Sequence, residues 1–303
     1  YYKTRYGVAI DPGRIIVTTG SSGGFLLAFL SAFDVGDKVG LATPGYPAYK
    51  NILAALGLYA VEIPVRSCSH FQLTPELLET CASDLDGLIV ASPSNPTGSM
   101  IDVACMKALA SWCSLNDIRL ISDEIYHGIT YEAAAETALF FSEDAIVVNS
   151  FSKYFSMTGW RLGWMVVPEN MLRSVECLAQ NLFICPPSIS QTAVLPVFDC
   201  HEELDANVAR YAENRDLLLN ELPRAGLESL APADGAFYIY ADISHLTDDS
   251  TAFCSRLLSE TGVAITPGVD FDNASGHSFI RICYAGSTDD IARATLRLRA
   301  WLA

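Results

Sequence analysis

Seven short apolar runs alternate with longer, helically spaced stretches from the start of the chain to about residue 200, and no other feature limits the fold as much. Strands joined through helices cannot pair as tight hairpins, so the pattern predicts parallel pairing with helices laid over both faces. The expected architecture is α/β, a mostly parallel sheet sandwiched by helices. Strands are expected at Arg14–Thr19, Lys38–Ala42, Tyr59–Ile63, Gly87–Ala91, Ile118–Ser122, Ala145–Asn149 and Leu162–Val167. Met100–Asn116 is the clearest helix, with Val103, Met106, Ala110 and Cys113 near the helical repeat. Pro168 is expected near the start of another.

The texture changes after I-C-P-P-S at Ile184–Ser188. A long helix over about Glu202–Leu222 leads to strands in A-F-Y-I-Y-A-D-I, G-V-A-I-T-P and S-F-I-R-I-C-Y-A. Thr288–Leu302 reads as a closing amphipathic helix. These predict a large α/β domain over residues 1–202 and a smaller C-terminal α+β domain over 203–303. With 303 residues, half of them apolar, the chain is long enough to bury a core in each.

Composition narrows the function classes. The longest apolar runs, such as G-L-I-V-A, fall far below the roughly 20 residues of a membrane span, so no membrane role is expected. No leader opens these residues, which makes the cytoplasm the default. The net charge of -16 and the lack of any Lys/Arg run argue against nucleic acid as a partner. Nine cysteines with no pair closer than eight residues exclude C-x-x-C metal and redox motifs and suit reduced, mostly buried thiols. No metal constellation is visible.

Open α/β sheets bind ligands beyond the carboxyl ends of their parallel strands, and the residues there are chemically unusual. After the first strand comes T-T-G-S-S-G-G, with Ser21, Ser22 and Gly23 opening a helix whose free amides favour an anion; an ordinary helix cap explains the same residues. The second strand ends in T-P-G-Y-P-A-Y, where flanking prolines stiffen the loop around Tyr46, either as a stacking platform or as a tyrosine packed for stability. Two prolines immobilise Asn95 in S-P-S-N-P-T-G. The strand I-R-L-I-S delivers Asp123, a carboxylate that is costly to bury without a cation, and Tyr126 follows. The run A-I-V-V-N delivers Ser150, Ser152 and Lys153, with Arg161 eight residues on.

Together these loops offer an anion cradle, an aromatic plate, a phenol, an amide, a carboxylate and a lysine. That inventory suits pyridoxal 5'-phosphate: phosphate on the helix end and Arg161, ring nitrogen against Asp123, ring oxygen toward Asn95 and Tyr126, aldehyde on Lys153. Only a primary amine forms an exchangeable Schiff base, and Lys153 is the last of the chain's five lysines.

In order along the chain, P-G-Y-P-A-Y, S-N-P-T-G, D-E-I-Y and S-F-S-K followed by G-W-R-L-G resemble the motifs of class I and II aminotransferases, the aspartate aminotransferase-like group of fold type I pyridoxal-phosphate enzymes. The likeness runs from about Arg14 to the C-terminus. It implies Lys153 as Schiff-base lysine and proton shuttle, Asp123 as partner of the pyridine nitrogen, Asn95 and Tyr126 on the 3'-oxygen, and Tyr46 stacked on the ring. It gives the phosphate to Ser21, Ser22, Ser150 and Arg161, counts Gly23 and Ser152 among the cofactor-binding residues and Asn95 also as substrate-binding, and makes Arg281 in F-I-R-I-C-Y-A the grip on the substrate carboxylate, where an unaided reading sees a strand arginine reaching solvent.

The implied activity is ping-pong transfer of an amino group between an amino acid and a 2-oxo acid, by a homodimer with shared active sites. The same residues leave open β-elimination of the C-S lyase type, and a non-catalytic pyridoxal-phosphate-sensing regulator. Family members usually carry further residues ahead of the position of Tyr1, an arm clasping the partner subunit and a loop closing over substrate. Either the protein lacks them or they lie outside these 303 residues.

Overall fold

The computed structural model describes residues 1–81 and 84–303. Seven strands, β1 Ile15–Thr18, β2 Lys38–Thr43, β3 Tyr59–Pro64, β4 Gly87–Ala91, β5 Arg119–Asp123, β6 Ile146–Ser150 and β7 Gly163–Val166, form one sheet in the order β1-β7-β6-β5-β4-β2-β3. All seven lie where the apolar runs predict them. The sheet is parallel except at β7, which runs antiparallel to both β6 and β1. No α-helix lies between Ser150 and Gly163 to carry the chain back to the far end of the sheet, so it returns directly along its neighbour.

β4, β5 and β6 are buried on both faces, which is why each carries consecutive apolar residues, at 88–91, 120–121 and 146–148, in place of a polar alternation. Their side chains alternate between two cores. Ile89, Ile121, Ile146 and Val148 pack with Phe25 and Phe29 of α2 (Gly20–Ala32) and Leu53 of α3 (Pro47–Ala55). Leu88, Val90, Leu120 and Val147 face Met106 and Leu109 of α5 (Val103–Leu115) on the other side. That second core continues into the C-terminal region through Ile239, Leu257, Ile280 and Leu298.

The C-terminal region follows α8 (His201–Arg224) and holds a small antiparallel sheet, β8 Tyr238–Asp242, β10 Phe279–Cys283 and β9 Thr266–Pro267, in the order β8-β10-β9, closed by α10 (Thr288–Leu302). The G-V-A-I-T-P segment is thus a strand over only two residues. α5 starts three residues later than expected because Asp102 caps it, accepting the Cys105 N–H at 2.7 Å. Val103 is exposed, and Leu109 completes the buried stripe. A short 3-10 turn, Glu169–Met171, separates Pro168 from the next helix. The thiols correct one expectation: of the eight described cysteines, all free, only Cys113 and Cys254 are buried. Among the described residues no helix is long and apolar enough to cross a membrane, and no cluster could hold a metal ion.

Candidate active site

The carboxyl ends of β2, β4, β5 and β6, the N-terminus of α2 and the outward face of β10 converge on a cavity of about 180 Å3. Seven of the side chains picked from the sequence line it: Ser21, Tyr46, Asn95, Asp123, Tyr126, Lys153 and Arg281. Ser22, Gly23, Ser150, Ser152 and Arg161 lie outside that lining.

Asp123 ends β5 and is almost wholly buried. Its Oδ1 accepts the Ile125 N–H at 3.0 Å, and its Oδ2 accepts the Tyr49 hydroxyl. Burial pushes its carboxyl up to about 6, while Tyr49, the Ile125 amide and the Lys153 charge pull the other way. Lys153, three residues past β6, is moved in the opposite direction: burial lowers its proton affinity, aided by the like charges of Arg281 and Arg161 and opposed by Cys283 and Asp123. Its Nζ sits 5.5 Å from the ring centroids of Tyr126 and Phe237.

Arg281 on β10 is clamped between the Tyr238 and Phe271 rings, 4.4 and 4.6 Å from their centroids. Its Nη1 donates to Asn95 Oδ1 at 2.8 Å and its Nη2 to Thr266 Oγ1 at 3.2 Å, while the buried Nε has no partner. A guanidinium only donates, so this contact fixes the Asn95 amide with its oxygen toward Arg281 and its two N–H groups available elsewhere. Tyr126 and Tyr238 share a hydrogen bond of 2.9 Å between their hydroxyls, and burial keeps the Tyr126 phenol protonated.

At the other end of the site, Thr19 precedes α2 without capping it through its side chain, so the first-turn amides have no protein partner there. Gly20 holds φ +74°, and a Cβ on it would lie 2.6 Å from Arg161 Nη2. Only glycine lets the guanidinium close over the helix end. Gly23 is needed for packing, since a Cβ there would meet Thr19 Oγ1 at 2.5 Å. Ser150 donates its hydroxyl to the Leu162 carbonyl at 3.1 Å, and the Ser152 hydroxyl lies 2.8 Å from Ser150 Oγ.

Behind Asp123 is a second buried polar group that the sequence reading missed. Glu124 Oε1 accepts from Ser122, Thr137 and the Ala138 amide, and Oε2 is unpartnered, 3.6 Å from His127 Nδ1. Because the Ser92 carbonyl can only accept, His127 Nε2 carries the proton in their 2.9 Å contact, and Nδ1 accepts from Tyr6 at 2.7 Å. Burial pushes Glu124 up to about 8 and His127 down to about 3. Tyr49 was missed too, although it stands inside the quoted P-G-Y-P-A-Y; Tyr238 and Thr266 carried no signal beyond strand pattern.

The profile of the family "Aminotransferase class I and II" matches residues 1–298. The valine–pyruvate aminotransferase of Mycobacterium tuberculosis is 53% identical over 305 residues, covering 99% of this chain and 79% of the relative. A (5-formylfuran-3-yl)methyl phosphate transaminase from Methanocaldococcus jannaschii is 36% identical across 99% of this chain and 78% of its own. Among solved structures, an aminotransferase from Mycobacterium tuberculosis superposes with TM-score 0.97 at 54% identity, over 99% of this chain and 79% of that one. The aspartate aminotransferase of Thermus thermophilus with maleate does so with TM-score 0.91 at 30% identity, over 99% and 78%. With the fold, the motifs and these likenesses in agreement, the chain belongs to the class I and II aminotransferases, enzymes that transfer amino groups with pyridoxal phosphate.

Proposed function

We propose that Lys153 anchors pyridoxal phosphate covalently and moves the substrate proton, that Asp123 meets the ring nitrogen, and that Arg281 grips the substrate carboxylate. The observation that carries this reading is that a buried carboxylate, an amine of lowered proton affinity and an incompletely paired guanidinium line one cavity. The residues present fit the cofactor: uncapped amides under Arg161 for its phosphate, Asp123 for a cationic nitrogen, Asn95 N–H groups and the Tyr126 hydroxyl for an anionic ring oxygen, and Tyr46 as the neighbouring ring. Ser21, Ser22, Gly23, Ser150 and Ser152 complete the proposed phosphate surroundings.

When bound, pyridoxal phosphate supplies an aldehyde that condenses with amines and a ring that withdraws electrons from the carbon losing its proton. The protein does the rest. Lys153 Nζ, whose proton affinity burial lowers, takes the proton from the substrate α-carbon and returns it on the next step. Asp123 stays charged against the ring nitrogen and keeps it protonated. Arg281 fixes the amino acid by its carboxylate, with Asn95 holding the guanidinium from behind. One 2-oxo acid leaves before the second enters, a ping-pong cycle. Borohydride reduction of the holoenzyme followed by peptide mapping should find the pyridoxyl group on Lys153; finding it on Lys50 or Lys107 would overturn the assignment.

For substrates we propose a neutral aliphatic amino acid and pyruvate, in line with the valine–pyruvate name of the 53% identical relative. Among the described residues lining the cavity the only cations are Lys153 and Arg281, both already assigned, which leaves no described partner there for a side-chain carboxylate. A higher kcat/KM for valine than for aspartate is expected, and the reverse order would count against this choice. The proposed working unit is a cytoplasmic homodimer with shared sites, each subunit dividing into 1–202 and 203–303. Exposed Val17, Leu195 and Phe198 line an open apolar cavity of about 550 Å3, the kind of surface that subunits bury. Sedimentation across concentrations tests it: a fully active species with the mass of one chain would refute sharing.

A further inference from the structure

Tyr49 has no part in the scheme above, yet its hydroxyl is the one side-chain donor that touches the Asp123 carboxylate among the described residues. It lies on the first turn of α3, buried, with its ring edge-on to Phe25 at 5.0 Å and to Tyr46 at 5.4 Å between centroids. Those two contacts fix the ring, and the ring fixes the direction of the O–H. With the Ile125 amide on Oδ1 and Tyr49 on Oδ2, the carboxylate is held in one orientation and still keeps a lone pair on each oxygen.

The titratable groups facing Asp123 are Tyr49 from α3, Tyr126 and Glu124 from the end of β5, and Lys153 from beyond β6. Of these, Lys153 changes its bonding during the proposed reaction, whereas Tyr49 has no other partner. Burial raises the proton affinity of the Tyr49 phenol well above its ordinary value, so it stays a donor at any working pH. A donor to the charged form of an acid favours that form.

We propose that Tyr49 is the positioning residue of Asp123, holding its carboxylate ionised and aimed so that it can pair with the cofactor's ring nitrogen. This rests on the reading of Asp123 given above. Sequence spacing hides the pair, because 74 residues separate the partners.

The test is the affinity of the apoenzyme for pyridoxal phosphate, titrated by fluorescence from about pH 6 to pH 8, in wild type, Tyr49→Phe, Asp123→Asn and the double variant. Phenylalanine keeps the ring on Phe25 and Tyr46 and removes only the O–H. Tyr49→Phe should weaken binding about tenfold, the size of one hydrogen bond to a charged group. The deficit should widen toward low pH, because without its donor Asp123 takes up a proton at a higher pH than in wild type. In the double variant the affinity should equal that of Asp123→Asn alone, since the phenol acts only through the carboxylate. If Asp123→Asn weakens binding while Tyr49→Phe matches wild type at every pH, Tyr49 is not the positioning residue and the role of Asp123 stands. Losses that simply add would also overturn the inference, by showing a role of Tyr49 apart from Asp123. Unchanged affinity in Asp123→Asn would remove the reading of Asp123 itself, and the inference with it.

Discussion

Replacing Gly20 with alanine puts a methyl group where Arg161 already sits. The new Cβ would lie 2.6 Å from Arg161 Nη2, so to reach ordinary contact at 3.4 Å the guanidinium must retreat by roughly 0.8 Å. A charge-assisted bond of about 2.8 Å to a phosphate oxygen would then be stretched past the ~3.5 Å at which it counts as one. Losing a hydrogen bond to a charged group costs about 1.5–3 kcal/mol, which converts to roughly 10- to 100-fold in affinity. Alanine at φ +74° carries a separate penalty of about 1–2 kcal/mol, and that one falls on the fold and leaves the ligand untouched. The assay is a titration of the Gly20→Ala apoenzyme with pyridoxal phosphate and, in parallel, with pyridoxal, which has the ring and aldehyde but no phosphate. Affinity for the phosphorylated form should fall by the stated factor and affinity for pyridoxal should stay as in wild type. Equal losses for both, or no loss for either, would show that the end of α2 and Arg161 do not form the phosphate cradle.

Arg281→Lys keeps the charge but loses the planar fork that reaches Asn95 and Thr266 together, so kcat/KM for the amino acid should fall about 10- to 100-fold while the resting cofactor spectrum is unchanged. Comparable kinetics in the variant would remove Arg281 from substrate binding. Glu124 is raised to about 8, chiefly by burial, so the folded protein holds that proton more tightly than the unfolded chain does. Its contribution to stability is complete below the ordinary value of 4.5 and is lost as pH rises through about 8. Glu124→Gln should therefore flatten the pH dependence of apoenzyme stability between about pH 5 and pH 8, a difference on the order of 4 kcal/mol in urea unfolding. A slope equal to that of wild type would mean the carboxyl is already ionised in the folded state.

The parts of the site that could be read from sequence are those whose signal is local. Asp123 stands out because an acid ending an apolar run must either find a partner or be expelled, and Asn95 because two prolines pin it. The three central strands were legible for a similar reason: burial on both faces gives β4, β5 and β6 consecutive apolar residues, with polar ones such as Ser122, Asp123, Asn149 and Ser150 kept toward the strand ends. The direction of β7 was not, since G-W-M-V has the same apolar content whichever way it runs. Partnerships across the chain were equally silent. Nothing in P-G-Y-P-A-Y says that its second tyrosine reaches Asp123, and nothing next to Glu124 in sequence says that it is fully buried, with Thr137 and Ala138 donating to it. Arg281 needed the family motif, because an arginine alternating with Ile280 and Ile282 is what a solvent-facing strand position also looks like.

Asp123 and Lys153 are displaced in opposite directions by the same agent. Burial makes the carboxylate harder to ionise and the ammonium harder to keep, and the two do not relieve each other by direct contact, since no ion pair forms between them among the described residues. Each therefore favours its neutral form more than it would in water. On the proposed assignment, a ligand with a basic ring nitrogen and an electrophilic aldehyde answers both: the nitrogen would offer Asp123 a cation, and the aldehyde would take an amine whose proton burial makes easier to remove. The desolvation that makes this pair unfavourable in the apoenzyme would thus favour its reaction with the cofactor under the proposed assignment, and it acts on both because Asp123 ends β5 and Lys153 follows β6, both buried strands.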